Sequence, residues 1–434
     1  MRLLVLSGHI TLERVRAELP RAEQNVSSVS ESVTQICEEI RTQGLAALTL
    51  QSLKFDQIVP ENYRVPAEEI SSALRQQEPN LRAALEVAIE RVRAVSRAGL
   101  PRPFSVELAA DAVVEQRYQP VDSVGLYVPG GKAVYPSSVV MNVVAAQEAG
   151  VPRLAIASPP QVSNRGLPHP SILATAALLG IDEVYAIGGA SAIAAFAYGI
   201  QDIGLEPVQM VTGPGNIFVA TAKRQLRGVI GIDSEAGPTE ILILADSSAD
   251  PAHLAADLLS QAEHDENAAA VLVTDSLDLI RATEAALSEQ LAVTPNRDRA
   301  AIALDGIQSA MVLVDSMQDG IKLANLYATE HLEIQTRDNQ SVLNAISNAG
   351  AIFVGPHSPV SLGDYLAGSN HVLPTGEQAK FGPGLGVHSF LRPQQVIRYG
   401  RSGLSAVVDE LELLSKTEGL PAHGEAARVR FRGN

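Results

Sequence analysis

The chain has 434 residues, and length alone suggests roughly three domains. Apolar residues make up 46% and charged residues 19%, a globular rather than a disordered balance. A formal charge of −16 with no basic stripe argues against a nucleic-acid partner, and the single cysteine, Cys37, excludes a disulfide framework or a Cys-rich zinc module.

The first hundred residues read as helices. Apolar residues recur at spacings of three and four from Ser30 to Thr42 and from Asn80 to Ala98. Ser30 is placed to cap the first of these. The short apolar run at Leu3–Leu6 is too brief for the core of a signal peptide. No stretch is long and apolar enough to span a bilayer, so a cytoplasmic protein with no membrane partner is expected.

From Val113 the pattern changes. Val124–Val128, Leu154–Ala157, Glu183–Ile187 and Val208–Val211 read as short strands, each followed by a helical segment. The rhythm restarts with Ile241–Leu244, Ala270–Val273, Met311–Val314, Leu332–Ile334 and Ala351–Val354. Two consecutive α/β units with parallel strands are expected. Between Gly355 and Gly386 the chain carries seven glycines and four prolines, and loops of this length tend to carry function. The last residues return to helix, with an apolar stripe of Leu404, Val407, Val408, Leu411 and Leu414.

Seven of the nine histidines lie after residue 250. Gln261 and His264 end a helix that starts near Pro251, and their spacing puts them on one face. Two converging donors on a helix are a start for a metal site, which needs lone pairs at about 2.0–2.2 Å. Asp364 offers a carboxylate, and His423 is a candidate fourth donor. Taken alone, this spacing equally fits ordinary polar residues at a helix end. Glu330-His331 opens a short strand, where a carboxylate and an imidazole can divide acid–base work or simply pair at a strand edge. Pro129-Gly130-Gly131 and Gly213-Pro214-Gly215-Asn216 sit between strand and helix, where open α/β sheets bind nucleotides. Neither is GxGxxG, and tight turns would use the same glycines. No GxSxG elbow appears, which leaves a serine hydrolase without support.

Several motifs together carry a resemblance. They are Gly125-Leu126-Tyr127-Val128-Pro129-Gly130-Gly131, Tyr135-Pro136-Ser137-Ser138-Val139-Val140-Met141-Asn142, Gly213-Pro214-Gly215-Asn216, Ser260-Gln261-Ala262-Glu263-His264, Glu330-His331-Leu332-Glu333-Ile334, Gly363-Asp364-Tyr365 and Ser369-Asn370-His371-Val372-Leu373-Pro374-Thr375-Gly376. From about Ser30 to about Arg430 the sequence resembles the histidinol dehydrogenases.

The resemblance implies an α/β fold of two incomplete Rossmann-like domains, with a helical N-terminal region and a C-terminal helical tail. Its divisions would be an N-terminal segment at 1–20, a first domain at 21–124 plus 240–378, a second at 125–239, and a tail at 379–434 that reaches the partner subunit of a homodimer. It implies one zinc (Zn2+) per subunit, held by Gln261, His264, Asp364 and His423. It implies that His331 is the base and that Glu330 activates water. Thr239, His371 and Glu418 fall at substrate-contact positions, together with His331 and the zinc ligands. Tyr127, Ser191 and Asn216 fall at NAD contacts. The implied reaction takes L-histidinol through L-histidinal to L-histidine with two NAD, the end of histidine biosynthesis. A relative acting on another amino alcohol or polyol is the alternative, and a zinc hydrolase using Glu330 a third. Four positions depart from the family pattern: Ser191 stands for a usual glutamine, Thr239 for a serine, and Ala145 and Thr329 for prolines.

Overall fold

A computed structural model of the chain describes residues 1–22, 26–130, 134–235 and 237–432. Gly131 of the first glycine loop lies outside the described residues.

Two parallel sheets form the frame. The five-stranded sheet runs in the order Val184–Ala186, Arg153–Ser158, Ser123–Tyr127, Met210–Thr212, Gly231–Ile232. The six-stranded sheet runs in the order Arg2–Leu6, Ala310–Val314, Ala269–Thr274, Glu240–Ala245, His331–Gln335, Ala351–Val354. All pairs in both sheets are parallel, with a helix closing most crossovers, as the alternating pattern predicts. The central strands are buried on both faces, which is why they read as unbroken apolar runs rather than alternating ones.

Three features differ from the sequence reading. Leu3–Leu6 belongs to an edge strand, Arg2–Leu6, paired with Ala310–Val314. Its burial alternates because only one face meets the core, and the run is too short to be told from a helix by periodicity. Second, Phe104–Ala109, Ala112–Pro120 and Leu391–Tyr399 form a separate antiparallel sheet. Its outermost strand, Phe104–Ala109, is exposed throughout. Third, the helix expected from Ser30 starts at Val26, so Ser30 is interior rather than a cap. The Ser30 carbonyl and hydroxyl instead accept from the Gln225 amide.

The packing also groups the chain differently from the expected divisions. Arg2–Leu6 is a strand of the six-stranded sheet, not a segment apart. The helices Val26–Gln43, Leu45–Phe55, Ala67–Gln76 and Pro79–Ala98 share their cores with the five-stranded sheet rather than with the 240–378 region. The expected boundary at 125 would cut the strand Ser123–Tyr127.

One glycine shows what the sheet demands. Gly213 follows Met210–Thr212 at φ 117, and an added Cβ would lie 2.0 Å from the Tyr127 carbonyl oxygen. Its N–H donates to Asp233 (2.9 Å) and its carbonyl accepts from Lys223 (3.0 Å), a lysine in a buried ion pair with Asp233. The second glycine loop is thus locked from behind.

The helix Pro251–Ala262 packs on Ala269–Thr274 and Glu240–Ala245, and its buried Asp257 comes close to the buried Glu333 of His331–Gln335. Gln335 donates to one Glu333 oxygen (2.5 Å), and the other has no partner among the described residues. Burial first, then the Asp257 charge, pushes Glu333 up to about 9. Folded Glu333 therefore holds a proton that an unfolded glutamate releases above about 4.5, so its contribution to stability falls as pH rises towards 9. The slope is at most about 1.4 kcal/mol per pH unit. Glu333→Gln keeps a donor and carries no charge. Urea midpoints taken from pH 6 to pH 9 should fall less steeply in Glu333→Gln than in the wild type; parallel slopes would rule out a proton retained by folded Glu333.

Candidate active site

A cavity of about 490 Å3 lies where the two sheets face each other. Its wall takes Pro129, Pro214, Gly215 and Asn216 from the carboxyl ends of the five-stranded sheet. It takes Thr239, Glu330 and His331 from the amino ends of two strands of the other sheet. His264, Asp364 and His371 add to the polar lining, with Ser138, Asp265 and Asn267 among the others.

Glu330 and His331 precede and open the strand His331–Gln335, whose neighbour is Glu240–Ala245. Adjacent strand residues face opposite ways, but these two sit at the strand's entry and both reach the cavity. One Glu330 carboxylate oxygen accepts from the Thr239 hydroxyl (2.6 Å) and the Glu240 N–H (2.9 Å). His331 Nδ1 lies 3.0 Å from the Glu240 carbonyl. A carbonyl only accepts, so Nδ1 carries the proton and Nε2 keeps its lone pair. The Glu240 side chain is buried against Arg21, which bonds it through Nε (2.5 Å) and Nη2 (3.2 Å). Arg21 also stacks on Tyr327, 4.1 Å from the ring centre.

The same device recurs at two further histidines. His264 Nδ1 donates to the Ser260 carbonyl (2.9 Å), one turn back, which leaves Nε2 free. His371 Nδ1 donates to the Asp364 carbonyl (3.0 Å), and its Nε2 lies 3.1 Å from the Ser138 hydroxyl. Burial holds His371 below its usual pKa, so it is neutral. Asp364 sits in the short helix Val360–Tyr365, where Gly363 lets the Phe353 ring pack close; a Cβ there would be 2.6 Å from it. Phe353 also faces His331, with ring centres 6.0 Å apart.

Gln261 is buried beneath this lining, and its amide nitrogen donates to the Thr239 hydroxyl (2.5 Å). Its carbonyl oxygen remains available. Gln261, His264 and Asp364 are thus oxygen and nitrogen donors of the kind zinc takes. No cluster of three His, Cys, Asp or Glu suited to a metal occurs among the described residues. His423 lies exposed on the helix Pro421–Arg428 and does not line the cavity of its own chain. Glu418 is likewise exposed and away from it.

The three positions with expected cofactor roles divide. Asn216 lines the cavity and caps the helix Ile217–Leu226, accepting from Phe218 and Val219. Tyr127 is buried, with its hydroxyl accepting from the Gly189 N–H (3.1 Å), and burial pushes its pKa up to about 12. Ser191 is also buried and donates to the Gln51 side chain (2.7 Å). An amide therefore stands beside Ser191 after all, supplied by the helix Leu45–Phe55.

Sequence reasoning missed Glu240, Arg21 and Gln51. A charged residue opening the apolar run Glu240–Ala245 was the one available signal. Arg21 and Gln51 gave none, since each acts across more than a hundred residues of chain.

Two parallel sheets meeting over acid–base and nitrogen-donor side chains define a two-unit α/β enzyme. The histidinol dehydrogenase family profile matches residues 19–431. Histidinol dehydrogenase from Leifsonia xyli is 56% identical over 95% of this chain and 95% of its own length. The Thermobifida fusca enzyme is 56% identical over 96% of this chain and 94% of its own. The crystal structure of histidinol dehydrogenase from Elizabethkingia anophelis superposes with a TM-score of 0.94 at 30% identity, covering 100% of this chain and 98% of that one. The chain belongs to the histidinol dehydrogenase family and is an oxidoreductase of α/β fold.

Thr239 links Gln261 to Glu330, so its hydroxyl rather than its size should matter. Thr239→Ser should retain turnover within a few-fold. Thr239→Val removes a hydrogen bond to a charged group, which is worth roughly ten- to a hundredfold. Steady-state turnover, with melting temperature as the folding control, checks both. Equal activity in Ser and Val variants would break the link.

Proposed function

We propose that this enzyme oxidises L-histidinol through L-histidinal to L-histidine, the last step of histidine biosynthesis, using two NAD and one zinc per subunit. The observation that carries the reading is the Glu330–His331 pair. Both side chains are fixed by one residue's backbone and open on the cavity that His264 and Asp364 also line.

His331 Nε2, with its Nδ1 proton held by the Glu240 carbonyl, takes the alcohol proton, and NAD, when bound, would accept the hydride of each oxidation. That gives the aldehyde. Glu330 then takes a proton from water, whose oxygen attacks the aldehyde carbon. His331 returns its first proton to the aldehyde oxygen as the hydrate forms, and so regains the lone pair with which it takes a hydroxyl proton of the hydrate in the second oxidation. The carboxylate results. Gln261, His264 and Asp364 would hold the metal from this chain. Bound zinc would supply a Lewis-acid anchor for the nitrogen donors of an imidazole amino alcohol. His371, neutral and bonded to Ser138, offers a fixed polar contact to the substrate. Thr239 keeps the hydroxyl of the serine it replaces, and that hydroxyl is committed to Glu330.

The homodimer completes the site. His423 and Glu418 are exposed on a tail that also exposes Leu413 and Leu414 to 67% and 63%. Ile397 and the Phe104–Ala109 strand add further apolar surface. Such a surface is suited to a second copy, with His423 and Glu418 reaching the neighbour's cavity.

Purified protein with L-histidinol and NAD should produce NADH, and a chelator should stop it; NADH formation independent of added L-histidinol would remove the assignment. Within that assay, Glu330→Gln should slow L-histidinal oxidation by about 10²–10⁴-fold and L-histidinol oxidation to L-histidinal far less. Equal losses on both substrates would reverse the division of labour.

A mixing experiment tests the tail. His264→Ala and His423→Ala subunits are each inactive. If tails are exchanged, a mixed dimer has one site with both lesions and one with neither. Random reassortment makes about half of the dimers mixed, so activity should recover towards roughly a quarter of wild type. No recovery, with mixed dimers confirmed by mass spectrometry, would place each tail in its own subunit.

A further inference from the structure

The five-stranded sheet has, in chain order, the arrangement third, second, first, fourth, fifth. That is the order of a dinucleotide-binding sheet without its sixth strand, in which the ligand lies over the carboxyl ends of the strands. There the adenosine ribose is usually held by an acidic residue after the second strand. Here the second strand, Arg153–Ser158, runs into Pro159-Pro160, and Ser158 is fully buried. No acid stands at the usual place.

One comes from outside the unit. Asp56 ends the helix Leu45–Phe55, and its side chain lies against Gly188, just past the third strand. A methyl group on Gly188 would come 2.9 Å from the Asp56 Oδ1 and 3.2 Å from the Pro159 ring. The carboxylate therefore sits over the ends of the second and third strands. It is only partly exposed, and it has neither a hydrogen-bond donor nor a cation among the described residues. Desolvation alone acts on it, pushing it up to about 6, so it is still ionised at neutral pH. An acid desolvated without a partner costs stability, and ligand donors would relieve that cost. The same helix carries Gln51, bonded to Ser191, and Gly189 beside Gly188 donates to the Tyr127 hydroxyl. Asp56 is thus continuous with two positions that carry the NAD reading.

We infer that Asp56 accepts hydrogen bonds from the adenosine ribose hydroxyls of NAD and so discriminates against a 2′-phosphorylated dinucleotide. The inference rests on the proposal that the enzyme uses NAD. Two ribose hydroxyls supply the donors the carboxylate lacks. A 2′-phosphate would bring negative charge against it, with no described cation to offset the repulsion.

Calorimetric titration without substrate tests this. The probes are NAD, NADP and NAD lacking the adenosine 2′-hydroxyl. Wild type should bind NAD at least about tenfold more tightly than either of the others, the scale of a hydrogen bond to a charged group. Asp56→Asn should lose roughly tenfold in NAD affinity and bind the 2′-deoxy form as well as it binds NAD. Its preference for NAD over NADP should shrink. If Asp56→Asn does not fold by melting curve, Gly188→Ala is read instead for the same loss, because it displaces the carboxylate without removing it. NAD binding with the preference unchanged in the variant overturns the inference alone. Wild type that binds no dinucleotide overturns the NAD reading and the inference together.

Discussion

The backbone of Glu240 is the constraint on which the site depends. Its N–H donates to Glu330 and its carbonyl accepts from His331, so one residue sets both the carboxylate position and the imidazole tautomer. That residue cannot drift, because its strand is central in the sheet and its own carboxylate is buried against Arg21 and the Gly376 N–H. Desolvation raises the Glu240 pKa, while the Arg21 charge and hydrogen bond oppose the rise. Removing either partner would strand a buried charge, which is far more costly than the pair itself is stabilising. The N-terminal arm thereby reaches the chemistry without touching the cavity that holds Glu330 and His331.

Three histidines around the cavity follow one rule. His264, His331 and His371 each give the Nδ1 proton to a backbone carbonyl. Backbone acceptors cannot be protonated or rotated away, so the Nδ1 proton is fixed in every case, while Nε2 faces the cavity lining in His264 and His331 and meets the Ser138 hydroxyl in His371. The same nitrogen type is then directed to different ends by position alone: a helix end for His264, a strand entry for His331, an irregular loop for His371. A cavity lined by the strand ends of both sheets makes this possible. The carboxyl ends of one offer glycine turns and a helix start, while the amino ends of the other offer a carboxylate and an imidazole.

Much of the fold was legible in the sequence. Mostly apolar runs of three to five residues marked nine of the eleven strands of the two parallel sheets. Doubly covered strands cannot hide, because both faces must be apolar. Arg2–Leu6 escaped because its outer face is open, and Gly231–Ile232 because two residues carry no period. The antiparallel sheet escaped because its exposed strands mix polar and apolar residues without a buried face to impose order. Grouping of the helices was not written locally either. Which sheet Val26–Ala98 covers depends on the fit of side chains across hundreds of residues, and the core contacts place it on the five-stranded sheet.

For the site, the residue types and their motifs came from the sequence, since chemistry selects a glutamate beside a histidine or a glutamine one turn from another histidine. Their environments did not. Thr239 as the link between Gln261 and Glu330, Gln51 as the amide beside Ser191, and Asp56 against Gly188 are contacts between segments 22 to 140 residues apart. Such pairings leave no period or spacing in the chain, because hydrogen bonds and ion pairs are indifferent to sequence separation once packing has brought the groups together. Local pattern names the elements and the reactive side chains; the tertiary fold alone selects which tautomer, which orientation and which neighbour each of them has.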